Sequence, residues 1–326
     1  MLAVFRNPAY DFIGWRRVAY GVSAAVMLLG LGSILVKGGL RYDLDFTGGT
    51  LVELRLAEPV SVGTIRSRLT AAGLGESVIQ VFGDPRDVLI RTQVANADAA
   101  ELSRRVADAL AGHGTGAADI RRAEFVGPQI GQELRRQALY AVLAALGGIL
   151  VYIWIRFDFR GGAVTIVSLA HDVLICLGAL SLANFEFSLP VLAALLTVIG
   201  FSVNDRIVMY DRLREIRAKR VDKGVTFAQQ VNLAVNQTLS RTVLTVATVA
   251  MSAATLFLFG GASLEGFAFV VLVGALTGTS STVYVAAALD VDWSAWSERR
   301  RATRVGGGQS PAQRFYPHGG RGAALL

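Results

Sequence analysis

Six stretches of this chain are long and apolar enough to cross a lipid bilayer, and no other feature constrains its fold as strongly. A membrane helix needs about 20 mostly apolar residues to cross ~30 Å at 1.5 Å per residue. Residues 18–36, 138–155, 161–185, 188–210, 241–262 and 266–289 meet that requirement. Only 17% of the residues are charged, against about 25% in ordinary soluble domains, and mean hydropathy is +0.48. The first stretch is read as an uncleaved span, because no small-x-small site closes it before Lys37.

The formal charge of +7 would suggest nucleic acid for a soluble protein. In a membrane protein the placement of Lys and Arg sets orientation instead. Segments 1–17, 156–160, 206–241 and 299–326 carry three, two, eight and six basic residues, while the short hairpins near 183–189 and 260–264 carry none. This predicts both termini and the loop 211–240 on the cytoplasmic side of the membrane. The 37–136 segment then lies outside. The stretch from Asp211 to Lys223 reads as a solvated interfacial helix or loop. Residues 290–326 read as a cytoplasmic tail, largely disordered, with Gly and basic residues dense beyond Gly306. One cysteine and three scattered histidines exclude a disulfide framework and a multi-Cys or His-rich metal site.

The outer segment has its own pattern. Residues 50–56 alternate, Ser61 caps a helix, 78–82 and 87–91 form a hairpin around Gly83-Asp84-Pro85-Arg86, 97–111 is a second helix, and 120–126 is a poorly alternating last strand. The predicted order is the ferredoxin-like βαββαβ. No nucleophile–base pair or phosphate loop is present in it, and Gly48-Gly49 reads as a turn.

Ionisable residues inside the spans need a partner or a water-filled cavity, since a charge at the bilayer centre costs about 2.5–3.5 kcal/mol on insertion scales. His171 and Asp172 lie in mid-span, open either to protonation or to an interhelical packing contact. Asp205 lies near the expected end of span four, with Arg206 reaching the surface by its long stem. Arg241 opens span five. It reads either as an ordinary basic flank or, because 233–240 carries no charge, as a group drawn inward to pair with Asp205. Thr245 follows on the same helix face. Gly274 and Gly278, in a small-xxx-small spacing, read as a helix-packing motif.

Together these segments resemble the SecF side of the SecD/SecF family of bacterial protein-export membrane proteins, relatives of the resistance-nodulation-division transporters. The resemblance rests on Asp45-Phe46-Thr47-Gly48-Gly49, Val126-Gly127-Pro128, Ala170-His171-Asp172-Val173, the run Val198 to Val208 with its Asn204-Asp205-Arg206, Asp211 to Glu215, Asn236 to Thr242, Leu258 to Gly261, and Gly278 to Ser281. Phe201 stands where the family pattern has Tyr. The resemblance implies a heterodimer with SecD that works with the SecYEG channel and SecA, alongside YajC and YidC. That complex uses the proton motive force to complete preprotein translocation after the ATP-driven step. It implies no enzyme activity and no cofactor beyond protons as coupling ion. It places Asp205, Arg241 and Thr245 on the proton path, with Asp172 and His171 as second candidates, and Asp45, Gly48 and Gly49 where the outer domain joins the membrane. Two other readings stay open at this stage: a drug or lipid exporter subunit, for which the outer domain is small, and a scaffold of the export channel without proton coupling.

Overall fold

The computed structural model describes residues 8–81, 84–92, 99–111, 118–157, 159–219 and 224–306. Phe82 and Gly83, residues 97–98, Arg220, Lys223 and the tail beyond Gly306 lie outside them.

Six helices or helix runs are long and apolar enough to span a membrane. They are α1 (Arg16–Val36), α5 (Pro128–Arg156), α6 (Phe159–Leu182), α7 (Leu189–Ala218), α8 (Phe227–Phe259), and α9 (Ala262–Ser280) continued through a π-turn (Ser281–Ala286) into α10 (Ala287–Gly306). Helices α6, α7 and α9 hold most of the buried positions, while α1, α5 and α8 turn large apolar side chains such as Leu28, Ile155, Leu258 and Phe259 outward. The charged residues of the interior sit on the enclosed helices, where lipid cannot reach them.

Close helix crossings depend on glycine. Gly30 on α1 and Gly178 on α6 meet backbone to backbone, and a Cβ on Gly178 would stand 2.6 Å from Gly30 Cα. Beside them Ser33 Oγ lies 2.9 Å from Ser181 Oγ. Gly274 and Gly278 face α7, where an added Cβ would come within 2.2 Å of Val198 Cγ2 and of Ser202 Oγ respectively.

Between α1 and α5 the chain forms α2 (Leu44–Thr47), β1 (Gly49–Arg55), α3 (Val62–Ala71), β2 (Val78–Val81), β3 (Asp87–Thr92), α4 (Ala99–Ala111) and β4 (Asp119–Val126). The four strands make an antiparallel sheet of order β2-β3-β1-β4, the ferredoxin-like arrangement. Val52, Leu54, Val88 and Ile90 alternate onto one face and pack against Ile65 and Leu69 of α3 and Leu102, Val106 and Leu110 of α4. Ser61 caps α3 by accepting from the Thr64 amide. Strand β4 is solvent-exposed along almost its whole length. That exposure, with a register shift opposite Glu53 and Leu54, explains its weak alternation.

Two sequence expectations are corrected at the basic end of the bundle. The loop placed at 211–240 is mostly helix: α7 runs to Ala218 and α8 starts at Phe227, behind a capping box of Thr226 and Gln229. The tail placed from 290 onward is helical to Gly306. In both segments charges are dense, yet an apolar side chain returns every third or fourth residue. Met209, Leu213 and Ile216 of α7, Val231 and Val235 of α8, and Ala287 and Val291 of α10 join Phe12 and Ile13 in one core. Asn232 and Asn236 fasten the N-terminal segment onto α8. Each side-chain amide donates to the Tyr10 carbonyl at 2.8 Å, and their oxygens accept from the Phe12 and Tyr10 amides at 2.9 Å.

The Gly30–Gly178 crossing is testable. A Ser33→Cys/Ser181→Cys pair should oxidise readily in membranes. Adding Gly178→Leu should abolish that cross-link by forcing α1 away from α6, and a persistent cross-link would contradict the crossing.

Candidate functional site

The innermost charge is Arg206, whose side chain is 0% exposed. Its Nη2 donates to Asp172 Oδ2 at 2.8 Å, with Ser168 Oγ at 2.6 Å and Ser281 Oγ at 2.9 Å. Asp172 Oδ1 lies 3.1 Å from His171 Nδ1, and His171 Nε2 meets the Ser23 hydroxyl of α1. A neutral imidazole with its proton on Nδ1 satisfies both contacts, donating to the carboxylate and accepting from the hydroxyl. The network thus joins α1, α6, α7 and the π-turn. The π-turn presents Ser281 to Arg206 while Ser281 also donates to the Gly278 carbonyl. Such turns are a common way to re-aim a side chain within a helix.

The expectation that Arg206 reaches the surface is therefore wrong, and the cause is helix length. Ending span four at Tyr210 puts Arg206 one turn from the surface. The helix actually continues to Ala218, so Arg206 lies about 18 Å from its end. Asp172 lies about 20 Å from the start of α6 at Phe159. On consecutive antiparallel helices those depths coincide, and the pair forms.

Asp205 is also buried, at 4% exposure, and its Oδ2 has no hydrogen-bond partner among the described residues. Arg206 and, more weakly, Arg241 act on it electrostatically, but Asp205 forms no contact ion pair with either among the described residues, and Arg241 is exposed on α8. Thr245 turns its hydroxyl back to the carbonyls of Arg241 and Thr242. Among the described residues, the interior near mid-span holds the carboxylates Asp172 and Asp205, and the fully buried guanidinium of Arg206 contacts only the first. Sequence reasoning also missed Asp290, 1% exposed on α10 with Arg160 Nε at 3.6 Å. It had been assigned to the tail. Its four-residue apolar approach, Ala286 to Leu289, was the available signal.

Around Asp205 the exposed surface is rich in small and polar residues, with Leu244 and Met251 interspersed on α8. Ala193, Thr197, Gly200 and Asn204 form an exposed stripe on α7, and Arg241, Thr248, Ser252 and Thr255 one on α8. Spacings of three, four and seven place each set on one helix face. The hydroxyls are satisfied within their helices, as when Thr197 donates to the Ala193 carbonyl at 2.8 Å and Ser252 to Thr248 at 3.0 Å.

Asp45, Gly48 and Gly49 sit where the outer domain meets the bundle. Tyr42 forms a parallel bridge to Phe187 in the α6–α7 hairpin. The Asp43 amide donates to the Phe187 carbonyl at 3.0 Å, and the Phe187 amide to the Arg41 carbonyl at 2.6 Å. Asp45 Oδ2 accepts from the Leu189 amide at the start of α7, at 3.2 Å, a favourable place for an acidic group. Burial raises the Asp45 carboxyl above its ordinary range while the Leu189 amide pulls the other way. Phe46 is buried with Ala138 and Leu192. Gly48 and Gly49 have φ of 72° and 131°, which side-chain-bearing residues adopt poorly. Arg91 of β3 pairs with Asp43 at 3.2 Å and with Glu186 of the hairpin.

Removing one member of a buried ion pair costs about 3–5 kcal/mol, whereas replacing both by apolar groups is often neutral. Asp172→Asn should therefore lower thermal stability in detergent strongly, and Asp172→Leu/Arg206→Leu should recover most of the loss. Equal stability of Asp172→Asn and the wild type would show that the pair is not made.

Comparison with known families matches residues 105–296 to "Protein export membrane protein SecD/SecF, C-terminal" and residues 33–60 to the "SecD/SecF GG Motif". The chain is 43% identical to the protein translocase subunit SecF of Desulfurispirillum indicum, covering 86% of this chain and 91% of that one. To its counterpart in Pseudomonas aeruginosa it is 42% identical, covering 85% and 89%. It also resembles the crystal structure of SecDF, a translocon-associated membrane protein from Thermus thermophilus, at 39% identity and a TM-score of 0.78. That match covers 90% of this chain but 39% of the longer SecDF chain.

Proposed function

This chain belongs to the SecD/SecF family of protein-export membrane proteins, and from that premise we propose that it pairs with a SecD-type chain to couple proton flow to preprotein export. The observation that carries the proposal is the uncovered polar face of α7 and α8, with Arg241 in it and the unpartnered Asp205 oxygen just behind it. Lipid is a poor neighbour for Asn204 and Arg241, and small and polar residues in such stripes suit a second helix bundle. The Thermus chain, in which a segment like this one is fused into SecDF, supports SecD as the partner.

In this reading Asp205 is the proton site. Arg206 is in contact with Asp172 and acts on Asp205 only from a distance, so the Asp205 charge has no bonded counter-charge unless Arg241 approaches or a proton binds. With a proton on Asp205, Arg241 is released towards the partner; without one, Arg241 is drawn towards α7. Alternation between these states moves α8 against α7. The displacement reaches the outer domain through the α6–α7 hairpin, whose residue Phe187 is bonded to Arg41 and Asp43 in the segment before α2. One proton moving across 100 mV supplies about 2.3 kcal/mol, enough to bias two packings that differ by a few kcal/mol. The sheet face bearing Leu51, Glu53, Leu89 and Arg91 looks onto a cavity of about 550 Å³ above the hairpin. There an unfolded preprotein could be held and released. Work with SecYEG, SecA, YajC and YidC, and the orientation with both termini cytoplasmic, complete the proposal.

Two experiments test it. Asp205→Asn and Arg241→Met should each abolish the proton-dependent part of preprotein export into membrane vesicles while leaving the ATP-driven part. Wild-type proton dependence in both would leave the scaffold reading. Gly200→Leu together with Thr248→Leu should weaken co-purification with the partner chain, and undiminished recovery would remove the polar face as the interface.

A further inference from the structure

The basic end of the bundle contains a cavity of about 740 Å³ that the export reading does not use. Its wall carries four arginines: Arg156 from the end of α5, Arg160 from the start of α6, and Arg214 and Arg217 from the last turns of α7. Tyr210 and Asp290 complete its floor. Two of the four have carboxylate partners. Arg156 Nη2 lies 2.7 Å from Asp211, and Arg160 Nε 3.6 Å from Asp290. Arg160 and Arg217 also stack over the Phe227 ring at 4.9 and 5.8 Å, which orders both guanidinium groups. Among the described residues, Asp211 and Asp290 against the four arginines leave an excess of two positive charges around the cavity.

The surroundings identify what balances them. Ile155 lines the mouth and is 79% exposed. Trp154 and Phe159, beside it, are exposed and pack edge to face. Exposed aromatics at the end of a membrane span mark the headgroup level of the bilayer. The mouth of the cavity is therefore apolar on its lipid side and its wall is cationic, an arrangement that matches a phosphate group attached to acyl chains. Guanidinium forks bind phosphate oxygens in pairs, and Arg214 and Arg217 are one turn apart on α7.

We propose that this cavity is a binding site for the phosphate headgroup of an anionic phospholipid, with Arg214 and Arg217 as its main ligands. Arg156 and Arg160 shape the wall. The site locks the ends of α5, α6 and α7 to one lipid molecule. The proposal rests on the membrane spans and not on proton coupling, so either can fail without the other.

Native mass spectrometry of the full chain in uncharged detergent tests it, with phosphatidylglycerol, cardiolipin, phosphatidylcholine and inorganic phosphate as separate probes. Phosphatidylglycerol and cardiolipin should bind and phosphatidylcholine should not. Each arginine near the membrane surface should contribute about fivefold in affinity, so Arg214→Gln/Arg217→Gln should weaken binding about 25-fold. Arg214→Lys/Arg217→Lys should restore most of it, and Lys219→Gln, a charge loss at the C-cap of α7 outside the cavity lining, should change little. If the double variant misfolds, Arg214→Gln alone should show the single fivefold step. Equal binding of phosphatidylcholine, or unchanged affinity in the glutamine variants, overturns the proposal. So does displacement of the lipid by equimolar inorganic phosphate, which would make the site one for a free anion.

Discussion

The bundle is organised around keeping one guanidinium, that of Arg206, out of lipid. An arginine in the bilayer interior is tolerated when it is enclosed and paired, and three helices and a π-turn converge to do this. Asp172 on α6 supplies the counter-charge, and Ser168 and Ser281 supply oxygens from α6 and from the π-turn after α9. The glycines of α9 allow the close approach. A Cβ at Gly274 would stand 2.2 Å from Val198 Cγ2 and 3.0 Å from its Cβ on α7, pushing α9, and Ser281 with it, away from Arg206. The small residues of α9 and the charges of α6 and α7 therefore belong to one requirement.

Asp205 differs from its neighbour because consecutive residues on a helix point about 100° apart. Arg206 faces the interior network. Asp205 is buried behind the polar face of α7 and α8, where the described residues offer its Oδ2 no bond. Arg206 has its counter-charge within this chain, although its Nε and Nη1 find no acceptor among the described residues, whereas Asp205 has no bonded cation there. A buried ion pair in contact fixes packing, whereas a carboxylate with no bonded cation can change its partner.

Much of the fold was legible in the sequence because its signals were redundant. Six apolar runs, a βαββαβ pattern and a capped helix at Ser61 each follow from periodicity alone. The errors came where two signals competed. At Asp211 the charge density argued for a span end, while Leu213 and Ile216 argued for continued burial, and burial won. That mistake of two helical turns moved Arg206 from mid-membrane to the surface and hid its pairing with Asp172. The same competition hid Asp290 in a supposed tail. Contacts across the chain were beyond reach for a different reason. No local pattern reports that Asn232 and Asn236 hold Tyr10, or that Tyr42 bridges Phe187.

That last bridge has a mechanical meaning. The outer domain is attached to the bundle by two covalent passages, one leaving α1 and one entering α5, and two attachment points define an axis about which a body can swing. The Tyr42–Phe187 bridge, with Asp45 on Leu189 and Arg91 on Glu186, adds a third support off that axis, and three supports hold a body still. The latch includes two backbone hydrogen bonds, the Asp45 carboxylate, ion pairs from Arg41 and Arg91 to Glu186, and the seat of Phe46 against Ala138 and Leu192. Releasing it frees a single rotation while both covalent tethers stay intact.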